Sequence, residues 1–199
     1  MLIKIHFYLF LWMAYLFYQR KLEIFCLFYL SAFAHEVAHI VMALLLNVEV
    51  VELFFSPFGV NAIYEYQNSF LKEILISIAG PLLSLMLGLL AKNEFICMMN
   101  LLLMGLNLFP IYPLDGGRIV RGLFQLFFGK QKGRQKSNQV SSFFMWILFV
   151  IALTVELKGK NHSLMILFFY ILTLSQKERK RDNLTRRINY LQIEEKCIQ

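Results

Sequence analysis

The sequence predicts an all-α polytopic membrane protein of about six transmembrane helices, with a short membrane-edge β-hairpin after the second. Three observations carry that expectation: composition, the spacing of apolar segments, and the placement of basic residues. Of 199 residues, 58% are apolar and 20 are Phe, and mean hydropathy is +0.58. A soluble domain of this length would need more polar side chains to cover its surface. Apolar segments run over about 5–18, 22–46, 70–91, 95–109, 140–157 and 163–175. The first, fourth and sixth fall furthest short of the roughly 20 residues that cross a hydrocarbon core upright.

The elements follow in order. Only Lys4 precedes the first apolar segment and no small-residue cleavage site follows it, so no removable signal peptide is expected. Between the second and third segments, Val48-Glu49-Val50-Val51-Glu52-Leu53 alternates as a strand does, and Pro57-Phe58-Gly59 supplies a turn. There is no internal repeat. Cys26, Cys97 and Cys197 are far apart and form no Cys-x-x-Cys pair, which argues against a disulfide framework. The net charge of +7 does not point to nucleic acid, because no polar segment interleaves basic residues with aromatics. The basic residues instead flank apolar segments, where an anionic lipid bilayer would hold them. With six crossings and a cytoplasmic tail, fifteen of the 20 Lys and Arg lie inside, including Lys4, Lys72, Arg118 and Arg121. That bias predicts a multi-pass protein with both termini cytoplasmic. Gln176 to Gln199 then form a basic tail, with Leu184, Ile188 and Leu191 at helical spacing on a surface helix.

The second apolar segment contains Ala34-His35-Glu36-Val37-Ala38-His39, an H-E-x-x-H motif. Charged groups at bilayer depth cost roughly 2.5–3.5 kcal/mol each on insertion scales, so their presence there points to use. On a helix, residues i and i+4 share a face, so both imidazoles can bind one metal ion, with Glu36 beside them to move protons. In the topology above, His39 lies seven residues before Leu46, or roughly 10 Å below the cytoplasmic surface at 1.5 Å per residue. A catalytic zinc commonly takes a third protein ligand. His162 falls on the wrong side and His6 is a weak candidate; Asp115 is the best one. It sits in Asn107-Leu108-Phe109-Pro110-Ile111-Tyr112-Pro113-Leu114-Asp115-Gly116-Gly117-Arg118, whose prolines and glycines interrupt regular helix. Irregular backbone at this depth lines a protein-enclosed or wet cavity. Asn107, one or two turns away, is placed to bond an extended substrate backbone or a developing oxyanion. Ile78-Ala79-Gly80-Pro81-Leu82 is expected to serve close helix packing, since small residues let spans approach.

H-E-x-x-H on one span with Asn-x-x-Pro-x-x-Pro-Leu-Asp-Gly-Gly on another resembles the site-2 protease family of intramembrane metalloproteases. Lys4-Ile5-His6, Pro57-Phe58-Gly59, and Ala79-Gly80-Pro81 add to the likeness, which covers residues 1–175. Within that family it is most similar to the branch that processes the precursor of the sporulation sigma factor sigma-K. The resemblance implies one zinc per chain, held by His35, His39 and Asp115, with Glu36 as the general base. It implies Asn107, Pro110 and Phe58 as substrate-binding residues, and a membrane-associated pro-sigma-K-like precursor as substrate. It further implies companion membrane proteins that hold the protease inactive, and a place in the membrane surrounding the forespore. Two departures stand out: residues 176–199 are too few for the CBS domain of some relatives, and Val60 replaces a second glycine after Pro-Phe-Gly.

Two other functions compete. A metal transporter would use buried ligands too, but transporters usually repeat their binding helices in two halves, and only one H-E-x-x-H occurs here. An inactive relative that merely binds membrane segments would have no use for Glu36.

Overall fold

The computed structural model describes residues 2–180 apart from 6, 21, 57, 58, 66–68, 158, 160–163, 167 and 178. In chain order these form β1 (Leu2–Ile5), α1 (Phe7–Tyr18), α2 (Leu22–Leu45), β2 (Glu49–Ser56), β3 (Gly59–Glu65), α3 (Phe70–Leu90), α4 (Glu94–Asn107), α5 (Asp115–Phe128) and α6 (Lys130–Leu157). A further apolar helix runs over Leu164–Lys177. The expected positions His6, Pro57, Phe58 and His162, and the tail from residue 181 on, lie outside the described residues.

Helices α2 and α3 are ordered the opposite way from helices of a soluble protein. α2 buries Ser31, Ala32, His35, Glu36, His39 and Ala43, while Ile24, Leu30, Leu44 and Leu45 are more than half exposed. α3 buries Ile74 and Ile76 near its start, then only Ser77, Ala79, Gly80, Pro81, Ser84 and Gly88, and turns Leu71, Leu82, Leu89 and Leu90 outward. Small and polar residues inside with Leu outside is the pattern of helices packed against each other in lipid, where apolar side chains gain nothing by hiding. Among the described residues, three helices, α2, α3 and α6, are long and apolar enough to cross a membrane. α1 and α4 have 12 and 14 residues, shorter than an upright span.

The fold is mostly helical rather than all-α. β2 pairs antiparallel with β3, from Glu49↔Glu65 to Ser56↔Gly59. β1 adds a parallel third strand, Leu2↔Glu52 through Ile5↔Phe55, so the expected hairpin is part of a three-stranded sheet of order β1-β2-β3. A four-residue strand whose partner lies 50 positions away leaves no local periodic signal. The alternation in β2 is interrupted by a register shift between Val50 and Glu52. That shift moves the inward face from Val48 and Val50 to Leu53 and leaves Glu52 to pair with Lys4, 2.8 Å away. Val50, Leu53, Ala62 and Tyr64 pack with Ala43 and Ile76, fixing the sheet against α2 and α3.

A second difference concerns residues 110–139. α5 begins at Asp115 itself, and α6 begins at Lys130, well before the apolar stretch near 140. Its polar first turns are held because Gly133 lies against Gln125 and the Phe124 carbonyl of α5. Ile111 anchors the intervening loop in a cluster with Met145, Ala152, Phe168 and Ile171. Ser141 Oγ accepts the Tyr112 backbone N–H at 3.1 Å.

Candidate metal centre

Each of the three atoms that could hold an ion comes from a buried side chain on a different turn of the fold. His35 and His39 are four residues apart on α2, and their rings meet edge to face with centroids 4.9 Å apart. Asp115, at the first position of α5, is delivered from 80 residues further along the chain. An acidic side chain is favoured there by the exposed amides and partial positive charge of a helix N-terminus. His35 Nε2 is 3.0 Å and His39 Nε2 3.2 Å from Asp115 Oδ2, and the two Nε2 atoms are 3.2 Å apart.

These distances meet a specific test. Two ligands at about 2.0–2.1 Å from a tetrahedral zinc stand roughly 3.3 Å from one another. The three observed separations fall close to that value. His39 Nδ1 donates to the Ile76 carbonyl at 2.6 Å. A carbonyl only accepts, so His39 carries a proton on Nδ1, and in its neutral form a lone pair on Nε2 faces the other two atoms. Lone pairs converging from neutral imidazole and carboxylate repel unless a cation lies among them. The donor set therefore fits a divalent ion.

Gly80 makes room for the two imidazoles. A Cβ built there would lie 2.3 Å from His39 Nε2 and 2.6 Å from His35 Nε2. The Ala79-Gly80-Pro81 segment does serve close packing, as its composition suggests, but what it packs against is this cluster. The two glycines after Asp115 have a similar task. A Cβ on Gly116 would meet the Leu108 carbonyl, and one on Gly117 would lie 2.3 Å from the Tyr112 N and 2.4 Å from the Ile111 C. Only residues without a side chain let the first turn of α5 press against the 108–112 backbone, which sets the depth of Asp115. The Tyr112–Pro113 peptide in that loop is cis.

Glu36 is buried on the same helix, and its neighbours come from the sheet. Ala62 N–H donates to Glu36 Oε1 at 2.7 Å, and Tyr64 Oη–H donates to the same oxygen at 3.1 Å. Two donors on one oxygen fix the carboxylate and commit Oε1. Charge-assisted bonds of this kind are the stronger class. Neither Ala62 nor Tyr64 was marked by the sequence, since the contact joins elements 26 and 28 residues apart. Tyr64 in an otherwise aliphatic inward row was the available signal. Ser84, whose Oγ is 2.8 Å from His35 Nδ1, was signalled only as a lone hydroxyl four residues after Gly80.

Among the described residues, Asn107 and Pro110 make no hydrogen bond to the cluster. Asn107 ends α4 and donates from Nδ2 to the Leu103 carbonyl of its own helix at 3.0 Å. Pro110 is half-buried in the loop preceding α5. Phe58 lies outside the described residues. Cys26 and Cys97 are free thiols.

Residues 88–151 match the family model for Peptidase family M50. That stretch includes Asp115 but not the H-E-x-x-H turn. A zinc metalloprotease of Methanocaldococcus jannaschii is 28% identical over 172 residues, covering 79% of this chain and 49% of that protein. Stage IV sporulation protein FB of Bacillus subtilis is 29% identical over 204 residues, covering 91% and 68%. A putative zinc metalloprotease of Synechocystis is 31% identical over 142 residues, covering 63% and 38%. This chain thus spans about half the length of the first of these relatives. The solved site-2 protease from Methanocaldococcus jannaschii has the same fold, with a TM-score of 0.68 at 22% identity over 88% of this chain and 89% of that one.

Proposed function

We propose that the chain is a member of peptidase family M50 and an intramembrane zinc endopeptidase acting on a membrane-associated precursor, supported by the family match over residues 88–151 and the likeness to two relatives at 28% and 29% identity. The observation that carries the proposal is the meeting of His35, His39 and Asp115, all buried, with ligand atoms within 4.8 Å of one another beside a fixed carboxylate. His35, His39 and Asp115 hold the ion. When bound, zinc would supply Lewis acidity, polarising a carbonyl and making water nucleophilic near neutral pH.

The chain's own groups do the rest. Glu36, held at Oε1 by Ala62 and Tyr64, has Oε2 left to take a proton from the attacking water. It returns that proton to the departing amine, the usual pairing of base and acid roles in one group. Burial keeps bulk water away, so the charges of the cluster interact strongly. Asn107, Pro110 and Phe58 are assigned to substrate binding, with Asn107 turning from its own helix to an extended peptide. Residues 1–175 form the protease domain of six crossings with both termini cytoplasmic, and 176–199 form a basic tail.

The substrate we favour is a pro-sigma-K-like precursor, with companion membrane proteins restraining the enzyme at the forespore membrane. Its support is the likeness, at 29% identity over most of the chain, to stage IV sporulation protein FB. Neither a transporter nor an inactive binder needs a carboxylate fixed in this way.

The test is Glu36→Gln, co-expressed with a pro-sigma-K precursor. General acid–base groups contribute about 10²–10⁴-fold, so cleavage falls by at least about 100-fold while zinc per chain is unchanged. Undiminished cleavage removes Glu36 from the reaction. Cleavage of other membrane precursors but not this one would retain the endopeptidase and discard the sigma-factor substrate.

A further inference from the structure

Three positions of α3, one turn apart, face the two imidazoles of α2 in sequence. Ile76 offers its carbonyl to His39 Nδ1, Gly80 leaves space for both rings, and Ser84 meets His35 Nδ1. The two histidines are thereby oriented by different chemistry. The Ile76 carbonyl can only accept. The Ser84 hydroxyl can donate or accept, and it is fully buried, with 0% exposure.

We infer that Ser84 is a positioning residue for the metal centre: it accepts the Nδ1–H of His35, which fixes the ring and the tautomer that presents Nε2 to the ion. Resting on the zinc reading above, the inference adds a residue outside the ligand set. The geometry supports it in two ways. With Ser84 Oγ 2.8 Å from Nδ1 at one end, and Nε2 facing Asp115 Oδ2 at 3.0 Å across the place an ion would take at the other, the His35 ring would be held at both ends once the ion is bound. Ser84 also lies on the same α3 face as Gly80, so the helix contact that makes room for the imidazoles is the one that brings the hydroxyl to the ring. Partners that hold the far nitrogen of a ligating histidine typically change metal affinity by about 10–100-fold.

The test uses the full chain in detergent, stripped of metal and titrated with zinc against a competing chelator. Ser84→Ala is expected to weaken zinc binding about 10–100-fold. Ser77→Ala removes an equally buried hydroxyl from the same helix, one with no hydrogen bond among the described residues, and is expected to leave zinc affinity within about twofold of the parent. Equal affinity in parent and Ser84→Ala overturns the inference, as does equal weakening in the two variants, which would mark a general effect of hollowing α3. A parent that binds no stoichiometric zinc defeats the metal reading itself. Should Ser84→Ala fail to fold, ¹⁵N-histidine spectra of the zinc-loaded parent decide: His35 protonated at Nδ1 and ligating through Nε2 upholds the assignment, and ligation through Nδ1 overturns it.

Discussion

Replacing Gly80 with Ala drives a single methyl group against both imidazoles of the cluster. The added carbon would lie 2.3 Å from His39 Nε2, 2.5 Å from His39 Cε1 and 2.6 Å from His35 Nε2. Non-bonded carbon contacts settle at about 3.5–4.0 Å, so at least one imidazole must swing away by about 1 Å. Elsewhere in a helix the same change stabilises by roughly 0.5–1 kcal/mol. Here overpacking costs about 1–3 kcal/mol, so the metal-free fold is expected to lose at most a few kcal/mol and to remain helical. Zinc affinity should fall much further, by more than the roughly 100-fold upper range for losing an outer partner, because the ligands themselves are displaced. Zinc per chain after dialysis, with thermal unfolding followed with and without added zinc, separates the two effects. Zinc at 100 times its Kd should stabilise the parent by about 2.7 kcal/mol and the variant not at all. A Gly80→Ala protein with one zinc per chain and parental activity would refute the placement of the ion between these rings.

Other expectations follow from the same geometry. Asp115→Ala should lose both zinc and proteolysis; full zinc occupancy by elemental analysis would assign the third place to another group. Gly117→Ala, whose Cβ would meet backbone at 2.3 Å, should cost about 1–3 kcal/mol and lower zinc occupancy by shifting Asp115. Gly105→Ala on α4, with nothing within 4 Å of its Cβ, is the control and should be neutral or slightly stabilising in chemical unfolding. Tyr64→Phe removes one bond to the Glu36 carboxylate, worth about 1.5–3 kcal/mol for a charged acceptor. It should lower kcat about tenfold or more while KM and zinc content hold, and activity within twofold of the parent would show the phenol to be idle.

What was legible in the sequence was what local spacing encodes. His35 and His39 share a face because a helix turns every 3.6 residues, and a run of apolar residues around them identifies the helix. Asp115 was legible because prolines and glycines mark the loop that ends at it. The partners of these residues were not legible. Tyr64, Ala62 and Ser84 reach the site through contacts between separate elements, and an isolated Ser or Tyr in an apolar row has many structural uses. Helix α5 escaped notice because its two leading glycines and two arginines make it too polar for an apolar span, strongly amphipathic though it is. Those glycines are there for the close approach of backbone at Leu108 and Tyr112, a demand that only the folded neighbour reveals. β1 was hidden for the same reason, its partner strand lying beyond two helices.

The 80 residues between His35 and Asp115 also set a clock on assembly. At translation speeds of about 5–20 residues per second, some 4–16 s pass between synthesis of the histidine turn and synthesis of its carboxylate partner. Through that interval the nascent polypeptide holds an unfinished cage, two imidazoles without the carboxylate that completes the donor set.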